Sequence, residues 1–262
     1  TLNHEGAAQQ RLGQVEAARE SYRRARVLAQ TNHGPQSVQL ATALVNLGGL
    51  LVKVGDYDEA HDALERAAEI WKATVGPRHP NYATTLLTVG NLHQARHEPG
   101  QAATAYEHVL AIQQQTLGPE HPRVGATVYN LGNIRSEQGR HDEALALHRR
   151  ALAIQERVFG PEHLVVASTL FGLARAQRGL GHPAEAVESL ERVLAIEVEH
   201  GGDRADVAET RFHLAQALVA AQDDRPRALE LAEAARDALP PSMAGAADLR
   251  SRIDEWIADH RR

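Results

Sequence analysis

The chain of 262 residues is 43% hydrophobic but only 4% aromatic, and its formal net charge is −6. That balance argues against a binder of nucleic-acid backbone, which draws on clustered Lys and Arg. The absence of cysteine excludes disulfides, thiolate metal sites and cysteine nucleophiles, and is compatible with the cytoplasmic location expected here.

No run approaches the roughly 18 apolar residues of a membrane span, and no signal segment opens the chain. Membrane insertion is not expected. Thr1 stands first and Met243 is the single methionine, so the chain reads as part of a longer product.

Residues 1–34 hold the end of a helical unit, marked by Gly13-Gln14-Val15-Glu16-Ala17-Ala18 and Tyr22. A linker then recurs: Gly34-Pro35, Gly76-Pro77-Arg78-His79-Pro80, Gly118-Pro119-Glu120-His121-Pro122, Gly160-Pro161-Glu162-His163 and Gly201-Gly202. Its glycines are 42, 42, 42 and 41 residues apart. Glycine ends a helix in the left-handed conformation and proline cannot continue one. Pro80 and Pro122 suit the first turn of the next helix, which leaves His79 and His121 as linker parts.

Within each period Leu47, Val89, Leu131, Leu173 and Leu214 are followed by Gly48, Gly90, Gly132, Ala174 and Ala215. A position that accepts alanine is chosen for size, so two helices cross closely there. Further on, Ala18, Ala60, Ala102, Ala144 and Ala186 pair at a spacing of seven with Ala25, Ala67, Val109, Ala151 and Val193, which returns to one helical face. Turns at Gly55-Asp56-Tyr57, Gly139-Arg140-His141 and Gly181-His182-Pro183 separate the two helices of a period. First helices are predicted near 37–54, 80–97, 122–138, 163–180 and 204–221, with partners near 57–74, 99–116, 141–158, 183–199 and 226–238. Leu249, Ile253, Trp256 and Ile257 share one face of a final capping helix, at what reads as a natural C-terminus. The expected division of a single array is a partial repeat at 1–34, repeats at 35–76, 77–118, 119–160, 161–201 and 202–240, and a cap at 241–262.

Paired helices with small residues at these positions resemble the tetratricopeptide repeat. The 42-residue period with Gly-Pro-Glu-His-Pro linkers is similar to the kinesin light chain variety, as are Val128-Tyr129-Asn130-Leu131-Gly132 and Ala151-Leu152-Ala153-Ile154-Gln155-Glu156. The resemblance implies an all-α, right-handed superhelical solenoid of helix-turn-helix repeats that binds a partner's peptide segment in a concave groove lined by first helices. No upstream heptad coiled coil is visible, so a motor subunit is not implied. Similar arrays occur in bacterial multidomain proteins, including the tails of eukaryotic-like serine/threonine kinases, and Ile253-Asp254-Glu255-Trp256-Ile257 resembles those tails. The alternative reading is therefore a regulatory array that contacts its own catalytic domain or self-associates.

The groove positions recur at i, i+4 and i+7 on the first helices. They are Val45, Leu87, Tyr129, Phe171 and Phe212; then Gly49, Asn91, Asn133, Arg175 and Gln216; then Val52, Gln94, Ser136, Arg178 and Val219. Asn46 and Asn130 match an asparagine of the light-chain pattern, which Thr88, Gly172 and His213 interrupt. Apolar anchors beside amides suit a peptide, and first helices with more basic than acidic residues predict a partner with apolar and some acidic side chains, steered by Arg175 and Arg178.

No glycine-rich phosphate loop occurs, and Gly179-Leu180-Gly181 reads as a turn. His93 and His97 have the spacing of two metal ligands on one helical face but lack a third, while Asp58 and Glu59 read as first-turn charges. The sequence predicts no enzyme, cofactor or metal.

Overall fold

The computed structural model describes residues 1–222, 224–240, 243 and 245–261. Positions 241, 242, 244 and 262 of the expected cap, and position 223 of the fifth expected repeat, lie outside the described residues. The described residues form thirteen helices and no strand, in two compact units, Thr1–Thr127 and Val128–Arg262.

The first unit holds α1 (Leu2–Arg11), α2 (Val15–His33), α3 (Val38–Val54), α4 (Tyr57–Thr74), α5 (Pro80–Ala95), α6 (Pro99–Leu117) and the start of α7 (Pro122–Glu137). The second holds the rest of α7, then α8 (His141–Phe159), α9 (Leu164–Gly179), α10 (Pro183–Glu199), α11 (Arg204–Ala220), α12 (Arg225–Ala238) and α13 (Ala246–His260). From α3 to α12, helix ends differ from the sequence expectation by no more than two residues. Residues 1–34 contain a complete hairpin, with α1 packed on α2.

Each hairpin closes around a small residue. A Cβ at Gly48 would stand 2.7 Å from Leu64, and one at Gly90 would stand 2.6 Å from Tyr106, so the glycine is needed for close approach and not for a special backbone angle. The alanines Ala18, Ala60, Ala102, Ala144 and Ala186 are fully buried, which lets the second helix of each hairpin lie flat on its neighbours. Within the first unit Tyr22, Leu47, Leu51, Leu64 and Leu92 form one core cluster, and Leu40, Leu44, Ile70 and Trp71 another. Within the second, Val166, Leu170, Leu173, Val193 and Ile196 fill one cluster, and Leu190, Phe212, Leu214, Leu218, Ile253 and Ile257 fill a second that seats α13.

The linkers differ from expectation in two respects. Gly34 (φ 88°, ψ 169°), Gly118 (φ 89°, ψ 155°) and Gly160 (φ 86°, ψ 159°) have positive φ but extended ψ, a region open essentially to glycine alone, instead of the left-handed helical conformation. That conformation belongs to the turn inside the hairpin, as at Gly55 (φ 88°, ψ 6°). The linker histidines are also more than spacers. Nδ1 of His79, His121 and His163 accepts the backbone N–H of Asn81, Arg123 and Val165, each at 3.1 Å. They cap α5, α7 and α9, as Ser37 caps α3 and Asp203 caps α11.

Candidate functional site

The predicted face is set by the first helices, which turn their small residues toward their partners and the opposite side outward. In the first unit Val45, Asn46 and Leu87 are half-buried and Asn91 is exposed. Tyr106 rises from α6 between the helices, and its one hydroxyl hydrogen is shared between Asn91 Oδ1 at 2.7 Å and Gln94 Oε1 at 3.1 Å. The amide of Asn91 is thereby oriented from below, with its NH2 group left as a donor.

In the second unit Tyr129, Asn130 and Asn133 of α7 and Phe171 of α9 are half-buried. The ring of Tyr129 meets that of His148 edge-on at 5.8 Å. Phe171 packs on both apolar clusters of its unit and meets the His213 ring edge-on at 5.1 Å. These aromatics are anchored at the base and open at the rim.

Phe212 requires a correction. It is 1% exposed and sealed in the core, with the Trp256 ring set against it at 6.0 Å and 87°. The cap helix α13 packs on α11 and α12 and covers it. The next residue, His213, which sequence reasoning set aside as an interruption, stands on the open side in its place. Its proximity to an arginine on another helix gave no local signal.

Arg175, Arg178, His213 and Gln216 line an open hollow of about 640 Å³ between α9 and α11, with Gly179, Gly181, Pro183 and Ala220 at its margin. Arg178 donates through Nη1 to His213 Nδ1 and through Nη2 to Gln216 Oε1, the latter at 2.8 Å. His213 Nδ1 is therefore an unprotonated acceptor, and Nε2 faces Glu209 Oε1 at 3.6 Å. The nearby His213 ring is the main reason the Glu209 carboxyl is held below its ordinary pKa. Burial, and then the neighbouring charge of Arg175, push the guanidinium of Arg178 down.

Other constellations do not converge on this face. His97 lies beyond the end of α5 and His93 Nδ1 is 2.6 Å from Glu98 Oε2, so the two imidazoles do not share a helical face. Asp58 pairs with Arg96, and Glu59 with Arg23 at 2.6 Å. Glu162, Glu199 and His200, all exposed, bring potential ligand atoms within 4.8 Å of one another at the end of α10. Among the described residues no helix is long and apolar enough to cross a membrane.

A signature described as tetratricopeptide repeat matches residues 1–73, 50–115, 90–154 and 123–197. Among solved structures, a kinesin light chain-type protein of Podosopora anserina with nearly identical TPR-like repeats is 29% identical. The match covers 75% of this chain and 93% of that one, with a TM-score of 0.64. BtubC (BKLC) from P. vanneervenii is 22% identical over 93% of this chain and 92% of its own, with a TM-score of 0.71. YrrB, described as a TPR protein with an unusual peptide-binding site, is 18% identical over 88% of this chain and 98% of its own, with a TM-score of 0.56. No curated protein matches the chain significantly.

Proposed function

The chain belongs to the tetratricopeptide repeat family, and on that premise we propose that it is a non-catalytic scaffold that holds an extended segment of another protein. The outward faces of the first helices are the gripping surface. Repeats of this type are generally protein-interaction modules without chemistry of their own.

The carrying observation is in the second unit. Tyr129 and Phe171 stand at the same register of α7 and α9, each half-buried, with Arg175 exposed and Arg178 half-buried beside them. Rigid aromatics give contact area at low entropic cost, and Asn133 and Gln216 add amide groups that suit a peptide backbone in either polarity. The two arginines favour a segment that carries acidic as well as apolar side chains.

The test is capture of partners by the purified chain, repeated with Tyr129→Ala plus Phe171→Ala and with Arg175→Glu plus Arg178→Glu. Both double variants are expected to lose the same partners while keeping the helical content of the parent. Retention of every partner by the aromatic variant would dismiss the gripping face. Retention by the charge variant alone would dismiss the acidic preference.

A further inference from the structure

The chain habitually neutralises arginines that reach across hairpins. Arg23 pairs with Glu59 at 2.6 Å, Arg192 with Glu156 at 2.6 Å and Arg227 with Glu191 at 2.7 Å. Arg175 and Arg178 depart from this habit. They stand three residues apart on α9, a helix without a single acidic residue, and neither forms an ion pair with a carboxylate among the described residues. Among the described residues Arg178 bonds to the uncharged acceptors His213 Nδ1 and Gln216 Oε1.

We infer that the hollow between α9 and α11 is a phosphate subsite, and that its ligand is a phosphorylated side chain of the bound segment, held by Arg175 and Arg178. This rests on the segment-binding reading above. Two guanidinium forks offer more N–H donors than one carboxylate can accept. A phosphate monoester brings three acceptor oxygens and a charge of about −1.5 to −2 at neutral pH, which matches two arginines. Gln216 adds a further donor, because its carbonyl oxygen is occupied by Arg178 and its NH2 group is not needed for that bond.

The surrounding charges allow a dianion. Glu209 is the nearby carboxylate; it is engaged by His213 and also feels Arg252 and Arg175. Its charge offsets part of the basic field without an ion pair to either arginine among the described residues, and each terminal nitrogen of Arg178 keeps a second N–H beyond its bond to His213 or Gln216. The pKa of Arg178 is lowered because burial, and then the neighbouring charge of Arg175, raise the cost of the charged form. A bound dianion removes that cost, and the hollow of about 640 Å³ is roomy enough for a phosphoryl group and the side chain bearing it.

The experiment titrates the purified chain at constant ionic strength with three probes: N-acetyl phosphoserine amide, N-acetyl aspartate amide and inorganic phosphate. The readout is the NMR signals of the Arg175 and Arg178 guanidinium groups and the His213 ring. The phosphoserine probe is expected to saturate at least about tenfold more tightly than the aspartate probe, and Arg175→Gln, at an exposed position, is expected to weaken it about tenfold or more. Equal affinity for the two amino-acid probes would make the site a carboxylate site and overturn the inference. So would binding of inorganic phosphate without the phosphoserine probe, an unchanged affinity in Arg175→Gln, or no saturable shift at all. Single-residue probes do not use the apolar stripe, so they are expected to bind Tyr129→Ala, whose ring packs on His148, as they bind the parent. Failure of the aromatic grip and failure of the phosphate subsite are thus separate results.

Discussion

His148 stands at the register of Tyr106, 42 residues later, and the exchange leaves both of its ring nitrogens without a hydrogen-bond partner among the described residues. The longer Tyr106 spans the gap to its first helix and bonds to Asn91 and Gln94. The imidazole does not, and Ser136, at the register of Gln94, has an unpartnered hydroxyl as well. The His148 ring is fully buried against both Gly132 and Gly172, where an added Cβ would stand 2.8 and 2.5 Å from its Cε1.

Burial, and secondarily the charge of Arg175, lower the pKa of His148 from 6.5 to about 4. The unfolded chain therefore binds the proton first: this contribution to stability is complete above about pH 6.5 and is lost as pH falls toward about 4. At about 1.4 kcal/mol per pKa unit, the loss approaches about 3 kcal/mol. His148→Leu places at this register the residue already present as Leu64 and Leu190, and removes both the orphaned nitrogens and the titration. Denaturant unfolding at neutral and acid pH is expected to show a variant at least as stable as the parent at pH 7, with less loss on acidification. The same acid loss in both proteins would exclude His148 as its source.

Glu197 presents the opposite sign. It occupies the register of Gln113 and Gln155, whose Oε1 atoms accept from Thr127 at 2.8 Å and Thr169 at 2.5 Å. Burial raises the Glu197 carboxyl pKa, an effect that Thr210 opposes and that Asp206 and Glu209 reinforce, and Glu197 Oε2 has no hydrogen-bond partner among the described residues. Its favourable contribution is present below the ordinary carboxylate range and is lost as pH rises through the raised folded value. Glu197→Gln is expected to stabilise the chain at pH 7 by less than about 1 kcal/mol, since partial exposure screens the charge. Thermal unfolding across pH checks this, the gain being expected to vanish in acid.

The period of 42 residues made the helices legible, because each turn glycine, small residue and buried alanine returns at a fixed register and reports the same local physics. Tyr129, Phe171, Arg175 and Arg178 were legible for the same reason. What escaped was decided by groups remote in sequence. Phe212 carries the same pattern as Phe171, and only the placement of Trp256 on α13 removes it from the open face. The bond from Arg178 to His213 joins residues 35 positions apart on two helices. The capping role of His79, His121 and His163 was hidden for a chemical reason, since histidine is outside the residue types that usually cap helices.

That capping role can be isolated at His163, whose exposed ring stacks on Phe159, because the alanine and aspartate variants lose that stacking equally and differ in the acceptor. His163→Ala removes the acceptor for Val165 N–H and is expected to cost about 1 kcal/mol. His163→Asp restores an acceptor and places a negative charge at a helix N-terminus, the arrangement Asp203 already makes with Ala205 N–H at 2.8 Å. It is expected to match or exceed the parent in thermal stability. Equal melting temperatures for the alanine and aspartate variants would show that the ring nitrogen contributes nothing as a cap.

His97 occupies the turn position that glycine fills in neighbouring hairpins. Its φ is 58°, where Gly55, Gly139 and Gly181 have 88°, 72° and 76°. A side chain in this conformation costs about 1–2 kcal/mol, toward the lower end for histidine, which is among the types that enter the region more often. Glycine avoids that cost but gives up about 0.5–1 kcal/mol of chain entropy. The difference favours glycine slightly, so His97→Gly is expected to raise stability by about 0.5 kcal/mol. His97→Val, with branching at Cβ, is expected to lower it by more than that. Unfolding free energies of the two variants and the parent give the ordering Gly, His, Val. A valine variant as stable as the glycine one would mean that this turn relaxes to negative φ when the residue changes.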